Sequence, residues 1–173
     1  MRKIYAVLIV AMMFGNQWVS AQCSQCTPVF STCPPAGGLC GHLDTAYANH
    51  AYDKVINFYM PKVLTDPSIL SQCSCNEVHL RHITVTGVSG LPTGVGYSLS
   101  HSNGYYDVSN GDSLGCSHFC GTPLVAGLYP VTVYLSADVT AIGTPIGNVD
   151  QNNVAQHYMD TLLVLPDTTA GVS

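Results

Sequence analysis

The sequence predicts an all-β chain folded as an antiparallel sandwich, and three observations carry that prediction. From Tyr129 the residues alternate, with Tyr129, Val131, Val133 and Leu135 on one side and Pro130, Thr132, Tyr134 and Ser136 on the other, the period-two pattern of a half-buried strand. No segment shows a helical period. About seven short β-prone runs are separated by clusters of Gly, Pro, Asn and Asp, the spacing of a sandwich and not of alternating strands and helices.

Taken in order, the chain opens on the basic Met1-Arg2-Lys3 and an apolar run from Ile4 to Phe14, too short to cross a membrane as a helix. With Val19-Ser20-Ala21 as a small-x-small cleavage site, residues 1–21 read as a signal peptide and the mature chain begins at Gln22. No second long apolar run follows, so no membrane span is expected after its removal. Residues 22–45 form a cysteine-, proline- and glycine-rich lead-in without regular structure. Residues 46–166 are expected to be the sandwich, and residues 167–173 the start of a linker.

Within the sandwich, Val55 to Met60 is β-prone and Pro61 ends it, after which Asp66-Pro67 turns the chain. Glu77 to Val88 is the next strand, with Leu80, Ile83, Val85 and Val88 as core contributors. Gly96–Ser100 and Tyr105–Val108 read as two strands of a hairpin joined by His101-Ser-Asn-Gly104. Asp107 to Gly115 reads as a polar loop, and Cys116 to Gly127 as a further loop that delivers the chain into its best strand. Ala141 to Asn153 is then a long connection to a last strand, from about His157 to Leu165, ended by Pro166.

Two segments carry a resemblance. Gly87-Val-Ser-Gly-Leu-Pro-Thr-Gly-Val-Gly-Tyr97 and Cys120-Gly-Thr-Pro-Leu-Val-Ala-Gly-Leu-Tyr-Pro-Val-Thr-Val133 resemble the paired hallmarks of cadherin-like immunoglobulin domains in secreted and surface proteins of Bacteroidota. Such domains often precede a C-terminal type IX secretion sorting domain. The resemblance covers roughly 46–165 and implies an immunoglobulin-like sandwich used for adhesion, spacing or ligand binding, with no catalytic motif to carry over. The chain departs from the family at Cys120, where a small residue is usual, and at Cys73 and Cys75, which precede the first hallmark. The family's disulfide pattern is therefore not carried over.

Charge excludes one class of partner. Removal of the signal leaves Lys54, Lys62 and Arg81 against ten Asp and Glu, a formal balance of −7 where the whole chain has −5. Three scattered cations cannot grip a phosphate backbone, so no nucleic-acid partner is expected. All eight cysteines, Cys23, Cys26, Cys33, Cys40, Cys73, Cys75, Cys116 and Cys120, lie after the cleavage site, and an even count in an exported chain reads as disulfides. They fall into a group up to Cys40 and a group from Cys73. If each group pairs internally, a bridge between the Cys73/Cys75 and Cys116/Cys120 pairs closes a loop of roughly 40 residues, worth about 4 kcal/mol by chain entropy.

Zinc is the rival reading, since Cys23-x-x-Cys26 has ligand spacing and Cys116-x-His118-x-Cys120 offers soft donors, yet export favours disulfides. His79 and His82, three apart in a strand, should point to opposite faces and form no chelating pair. Asp107, Asn110 and Asp112 put oxygen ligands into a glycine-containing loop and are the candidates for calcium, the one cofactor that the residues suggest. An Asn-Gly-Asp turn needs no ion, however. Gly87-x-Ser89 lacks the later glycine of a nucleophile elbow, and no phosphate loop or paired carboxylates occur, so the chain is not read as an enzyme. Tyr105 and Tyr106 are the candidate ligand-binding residues, because one of two neighbours in a strand faces solvent. Tyr129 fits a tyrosine-corner role. The expected function is an exported, non-catalytic immunoglobulin-like module that binds a protein or glycan outside the cell. The alternative is a carbohydrate-binding module accessory to a secreted enzyme missing from this chain.

Overall fold

A computed structural model describes residues 23–30, 33–65 and 67–167. The signal peptide and all of the linker after Asp167 lie outside them. In chain order the strands are β1 (Gly38–Cys40), β2 (Ala46–Tyr47), β3 (Tyr52–Tyr59), β4 (Val63–Leu64), β5 (Glu77–Ser89), β6 (Val95–Leu99), β7 (Tyr105–Asp107), β8 (Leu114–Gly121), β9 (Gly127–Thr144) and β10 (Gly147–Leu165). A short helix α1 (Pro67–Cys73) stands between β4 and β5. Two sheets face each other: a smaller one in the order β1-β3-β8-β6, and a larger one in the order β2-β10-β9-β5-β4, with β7 also paired to β5. Every pairing is antiparallel except β2 on β10. The chain is the all-β sandwich expected.

The alternation of β9 sets the larger sheet. Its odd residues face the smaller sheet from Tyr129 to Ala141, well past the expected end at Leu135. β9 then turns tightly at Pro145-Ile146 into β10, so most of Ala141–Asn153 is hairpin and not a connection. The sequence hides this because a bulge between Gln151 and Val154, with Asn153 at φ 57°, switches which parity faces inward. The inward residues there, Gln151, Gln156, Tyr158 and Asp160, are also polar or half polar. A bulge in β5 between Leu80 and His82 has a similar effect. His79 pairs with Thr140 and His82 with Asp138, so both histidines share the outer face instead of opposing each other.

Two further expectations are corrected. Leu114–Gly121 is no loop but β8, central in the smaller sheet between β3 and β6. Its pattern is silent because both faces are covered: Phe119 points into the core, while residues 23–26 lie over Cys116 and His118. The strands β6 and β7 form no hairpin, since β6 pairs with β8 and β7 with β5, so His101–Gly104 carries the chain from one sheet to the other. The helix α1 was also not foreseen. At seven residues it is too short to show a period.

The two hallmark segments pack on each other. Thr122 N–H donates to Gly94 O at 2.9 Å and Leu124 N–H to Thr93 O at 3.1 Å, while Pro92 and Pro123 are fully buried. Gly94 has φ +92°, and a Cβ there would lie 2.0 Å from the carbonyl oxygen of Thr122. Only glycine satisfies both demands. Beside this contact Leu43, Tyr52, Ile56, Phe119, Val131, Leu162 and Val164 form the main core, and Tyr129 Oη donates to Val125 O at 3.0 Å, the hydroxyl-to-upstream-carbonyl geometry of a tyrosine corner.

Two of the four disulfides cross between the two cysteine groups, and two stay within them. Cys23 bonds Cys120 and Cys26 bonds Cys116, with Cα–Cα distances of 5.4 and 6.1 Å, while Cys33 pairs with Cys40 and Cys73 with Cys75. Residues 23–26 thus strap the outer face of β8, running against it. The first lead-in residues are part of the sandwich, and β1 joins its smaller sheet through β3. Four disulfides fit an oxidising, extracellular environment.

Loop-closure entropy ranks these bridges. Each strap bridge spans at least 90 residues, whereas Cys73–Cys75 spans two. Replacing all four strap cysteines by Ser should therefore cost about 4–5 kcal/mol in urea unfolding, and replacing Cys73 and Cys75 less than about 2 kcal/mol. Either single strap bridge should be nearly dispensable, because the other already closes the long loop. Gly94→Ala should cost about 3 kcal/mol, while Gly87→Ala, with nothing within 4 Å of its Cβ, should leave the midpoint within about 0.5 kcal/mol.

Candidate binding cleft between the sheets

The two sheets differ in strand length, and the difference leaves an opening. β5, β9 and β10 hold 13, 18 and 19 residues, against eight each in β3 and β8. At about 3.3 Å per residue the long hairpin runs some 60 Å beneath a roof of about 26 Å. Between roof and floor lies a cleft of about 1040 Å³. Its floor is the inward row Val131, Val133, Leu135, Ala137, Val139 and Ala141 of β9, continued by Val78, Leu80, Ile83 and Val85 of β5. Ile56, Phe58 and Phe119 form the roof, and Gln151, Val154, Gln156, Tyr158 and Asp160 of β10 line one side. Aliphatic walls with a few amide, phenol and carboxylate groups at one margin are the make-up of a ligand site, and the volume is at the upper end for one.

Asp160 anchors the end of that margin. Its carboxylate accepts from the N–H of Leu43 and of Thr161, both at 2.8 Å, and His42 Nδ1 lies 3.7 Å away. Beyond it Leu162 and Val164 are fully covered, so the cleft closes toward the main core. The cleft-facing residues of β10 escaped sequence reasoning. The signal was present in the period-two series Val154, Gln156, Tyr158, Asp160, Leu162, Val164, polar where the roof is absent and apolar where it returns.

The tyrosine candidates separate. Tyr106 is wholly buried, its ring edge-on to Phe58 at 5.2 Å and its hydroxyl 3.0 Å from Ser100 Oγ, so it is a core residue and not a ligand contact. Tyr105 lies on the outer face of the larger sheet, 39% exposed, with its ring 5.4 Å from that of His82. Desolvation and the carboxylates of Asp107 and Asp138 raise its pKa. Tyr134 shares that face, paired to His157 of β10, and receives a hydrogen bond from Ser89 Oγ at 3.3 Å.

The calcium candidates do not converge. Asp107 accepts from Ser109 Oγ at 2.6 Å and from the backbone and side-chain nitrogens of Asn110 at 3.2 and 2.6 Å, capping a single 3-10 turn over Val108–Asn110. Asn110 thus turns its amide nitrogen, not its oxygen, to the carboxylate. Asp112 faces His101 at 3.3 Å instead. Among the described residues no group of three or more His, Cys, Asp or Glu is placed to hold a metal. The zinc-type motifs are brought together, but as bridges. Two residues on one strand four apart lie about 13 Å apart, too far for Cys116 and Cys120 to share one ion with bonds of about 2.3 Å. His118 between them has Nδ1 2.7 Å from Ser24 O and Nε2 3.2 Å from Asp53, so both nitrogens face oxygen acceptors.

Two carboxylates on the outer face of the larger sheet are held below the ordinary aspartate range. Asp107 is lowered by its Ser109 and Asn110 hydrogen bonds, and Asp138 first by the N–H of Asn153 at 2.7 Å, with His82 and Arg81 adding to the effect. A depressed folded pKa means stability that is complete above the unfolded value of about 3.9 and lost as pH falls through the folded one. The urea midpoint should accordingly drop as pH is lowered below about 4. The double variant Asp107→Asn, Asp138→Asn should start lower at pH 7 and lose visibly less on acidification, and an unchanged slope would count against this assignment.

Compared with family models, curated proteins and solved structures, the chain has no match.

Proposed function

We propose that this chain is an exported, non-catalytic immunoglobulin-like module for adhesion or ligand binding outside the cell, and that the cleft between its sheets is the binding face. The observation that carries the reading is the cleft itself: an apolar floor on long paired strands, polar groups along one margin, and an opening where the roof stops short. The leader-like first 21 residues, the four disulfides and the resemblance at Gly87–Tyr97 and Cys120–Val133 support it. A site built on strands is held rigid by its ladder of hydrogen bonds, as recognition requires. The acidic balance turns away polyanions and leaves proteins, neutral glycans and apolar ligands as partners.

A second reading has its own observation. Tyr105 and Tyr134 stand exposed on the outer face of the larger sheet, and a phenol ring there can stack on a sugar while its hydroxyl hydrogen-bonds. This is the arrangement of a carbohydrate-binding module serving an enzyme.

One pair of measurements separates the two. An environment-sensitive apolar dye should brighten on binding the folded protein, and Leu135→Gln in the cleft floor should weaken that binding by about tenfold or more with near-ultraviolet dichroism retained. Neutral polysaccharides cast in native gels should not retard the protein. Retardation that Tyr134→Ala abolishes and Leu135→Gln spares would move the site to the outer face. Dye binding indifferent to Leu135→Gln would sink the cleft.

A further inference from the structure

We propose that the Cys73–Cys75 bridge is a thiol–disulfide exchange site, opened by low-molecular-weight thiols while the other three bridges and the sandwich stay intact. The inference goes beyond the ligand-binding reading and does not depend on it, since it concerns the chemistry of one bridge.

Sequence separation and access set this bridge apart. Its cysteines are 2 residues apart, against separations of 7, 90 and 97 for the others. A bridge draws stability from the loop it closes, so this one is the least secured by chain entropy. Both of its residues are half-buried, and Cys73 lies on the wall of the cleft, where a small molecule can reach it. In the strap, by contrast, Cys116 is fully buried, and either bridge holds the two sulfurs of the other in register for closure.

The backbone adds a second, independent reason. Ser74, between the two cysteines, has φ 49°, a left-handed conformation that a residue with a Cβ adopts at a cost. The N–H of Cys75 donates to Leu70 O at 3.3 Å, the six-to-one bond of a Schellman motif closing α1, so Ser74 stands where helices usually carry glycine. The bridge joins the residues on either side of Ser74 and holds it there. Opening the bridge removes that constraint and lets Ser74 return to right-handed or extended backbone, which favours the dithiol. The left-handed residues beside other bridges, Gly41 after Cys40 and Gly121 after Cys120, are glycines and carry no such cost.

The rearrangement is confined. None of the described residues of α1 belongs to either buried core, and seven residues are too few for a helix to stand without support. The chain is fixed again at Asn76, whose N–H donates to Ile142 O at 2.9 Å, and ahead of α1 it is fixed where Val63 and Leu64 pair with β5. The last turn of α1 can therefore loosen without disturbing the sheets.

The exchange balances with a thiol as the reductant. Its thiolate attacks the sulfur of Cys73, the cysteine that lines the cleft; the S–S bond breaks, and its electron pair leaves on the Cys75 sulfur, which takes a proton from water. Cys73 is then a mixed disulfide. A second thiolate attacks the added sulfur and expels Cys73 as a thiolate, which is protonated in turn. Two external thiols become one disulfide, and two electrons and two protons pass to the bridge.

The test is a titration of the full chain, exported into an oxidising compartment, with reduced glutathione, followed by blocking with N-ethylmaleimide and mapping by mass spectrometry. Two thiols should appear first, at Cys73 and Cys75, at a glutathione concentration at least about tenfold below that which opens any other bridge. In this two-thiol form near-ultraviolet dichroism should persist, and amide exchange should quicken at Cys75 and not at Asn76. Ser74→Gly, which keeps the left-handed residue without its cost, should raise the glutathione required by about threefold. Thiols at Cys73 and Cys75 before any glutathione is added would overturn the proposal, as would first opening at another bridge or loss of all four together with the fold. Unchanged exchange at Cys75 in the two-thiol form, or a Ser74→Gly variant reduced as readily as the wild type, would also overturn it.

Discussion

The mismatch in strand length between the two sheets is the constraint on which the rest of the structure depends. A sandwich buries its inner faces only where both sheets are present. Here β9 and β10 are more than twice as long as β3 and β8. The main core closes around Val131, Leu162 and Val164, a second buried cluster forms around Met60, Leu80, Tyr106, Val108 and Ala137, and the cleft opens along β10. At the closed end Leu162, Val164 and Val131 have at most a few per cent of their surface in contact with solvent. Along the same hairpin the inward positions turn to Gln156, Tyr158 and Asp160, residues that tolerate water. The composition of one strand therefore records where its roof stops. Both the cleft and the open edge of β10 follow from that single overhang.

The closed end is where the stabilising devices concentrate. Thr122 and Leu124 bond the Thr93–Gly94 turn, the tyrosine corner at Tyr129 fixes the entry to β9, and the strap of residues 23–26 is bridged twice to β8. The strap covers the outer face of β8 as the core covers its inner face, so the smaller sheet is held between two layers over its central strand. A short roof needs this support, because eight-residue strands supply few backbone hydrogen bonds and limited apolar area. Once Cys23–Cys120 has closed its loop, Cys26–Cys116 adds little entropy. Its remaining effect is to fix the direction in which the strap crosses the strand.

How much of this was legible follows the same physics. β9 was readable because one side of it meets core and the other water, the condition under which period two appears in a sequence. β8 was not, because burial on both faces removes the polar half of the pattern, and cysteines that belong to bridges look like loop punctuation. The hairpin turn and the first half of β10 were hidden by a bulge that reverses parity and by polar residues on an inward face without a roof. The cysteine pairing could not be read from grouping along the chain, since strap and β8 are neighbours in space and about 90 residues apart in sequence. Among the candidate residues, Tyr105 is exposed as expected and Tyr106 is core. Asp107 is explained by its turn and by His82, neither of which spacing alone could supply.

The overhang also ties together the two surfaces it creates. Gln156, Tyr158 and Asp160 point into the cleft, yet they belong to the strand whose outer backbone edge is open. Anything that pairs with β10 must bring side chains to the cleft mouth, because every second residue of an added strand lies on the cleft side of the sheet. Occupancy of the edge and of the cleft are therefore coupled without any change of conformation, by shared space alone. A partner strand with small or polar residues would leave the cleft accessible, whereas one with bulky apolar residues at alternate positions would fill it. Either way the aliphatic floor of β9 remains the deeper site, because a strand added at that edge approaches the cleft from the β10 side alone.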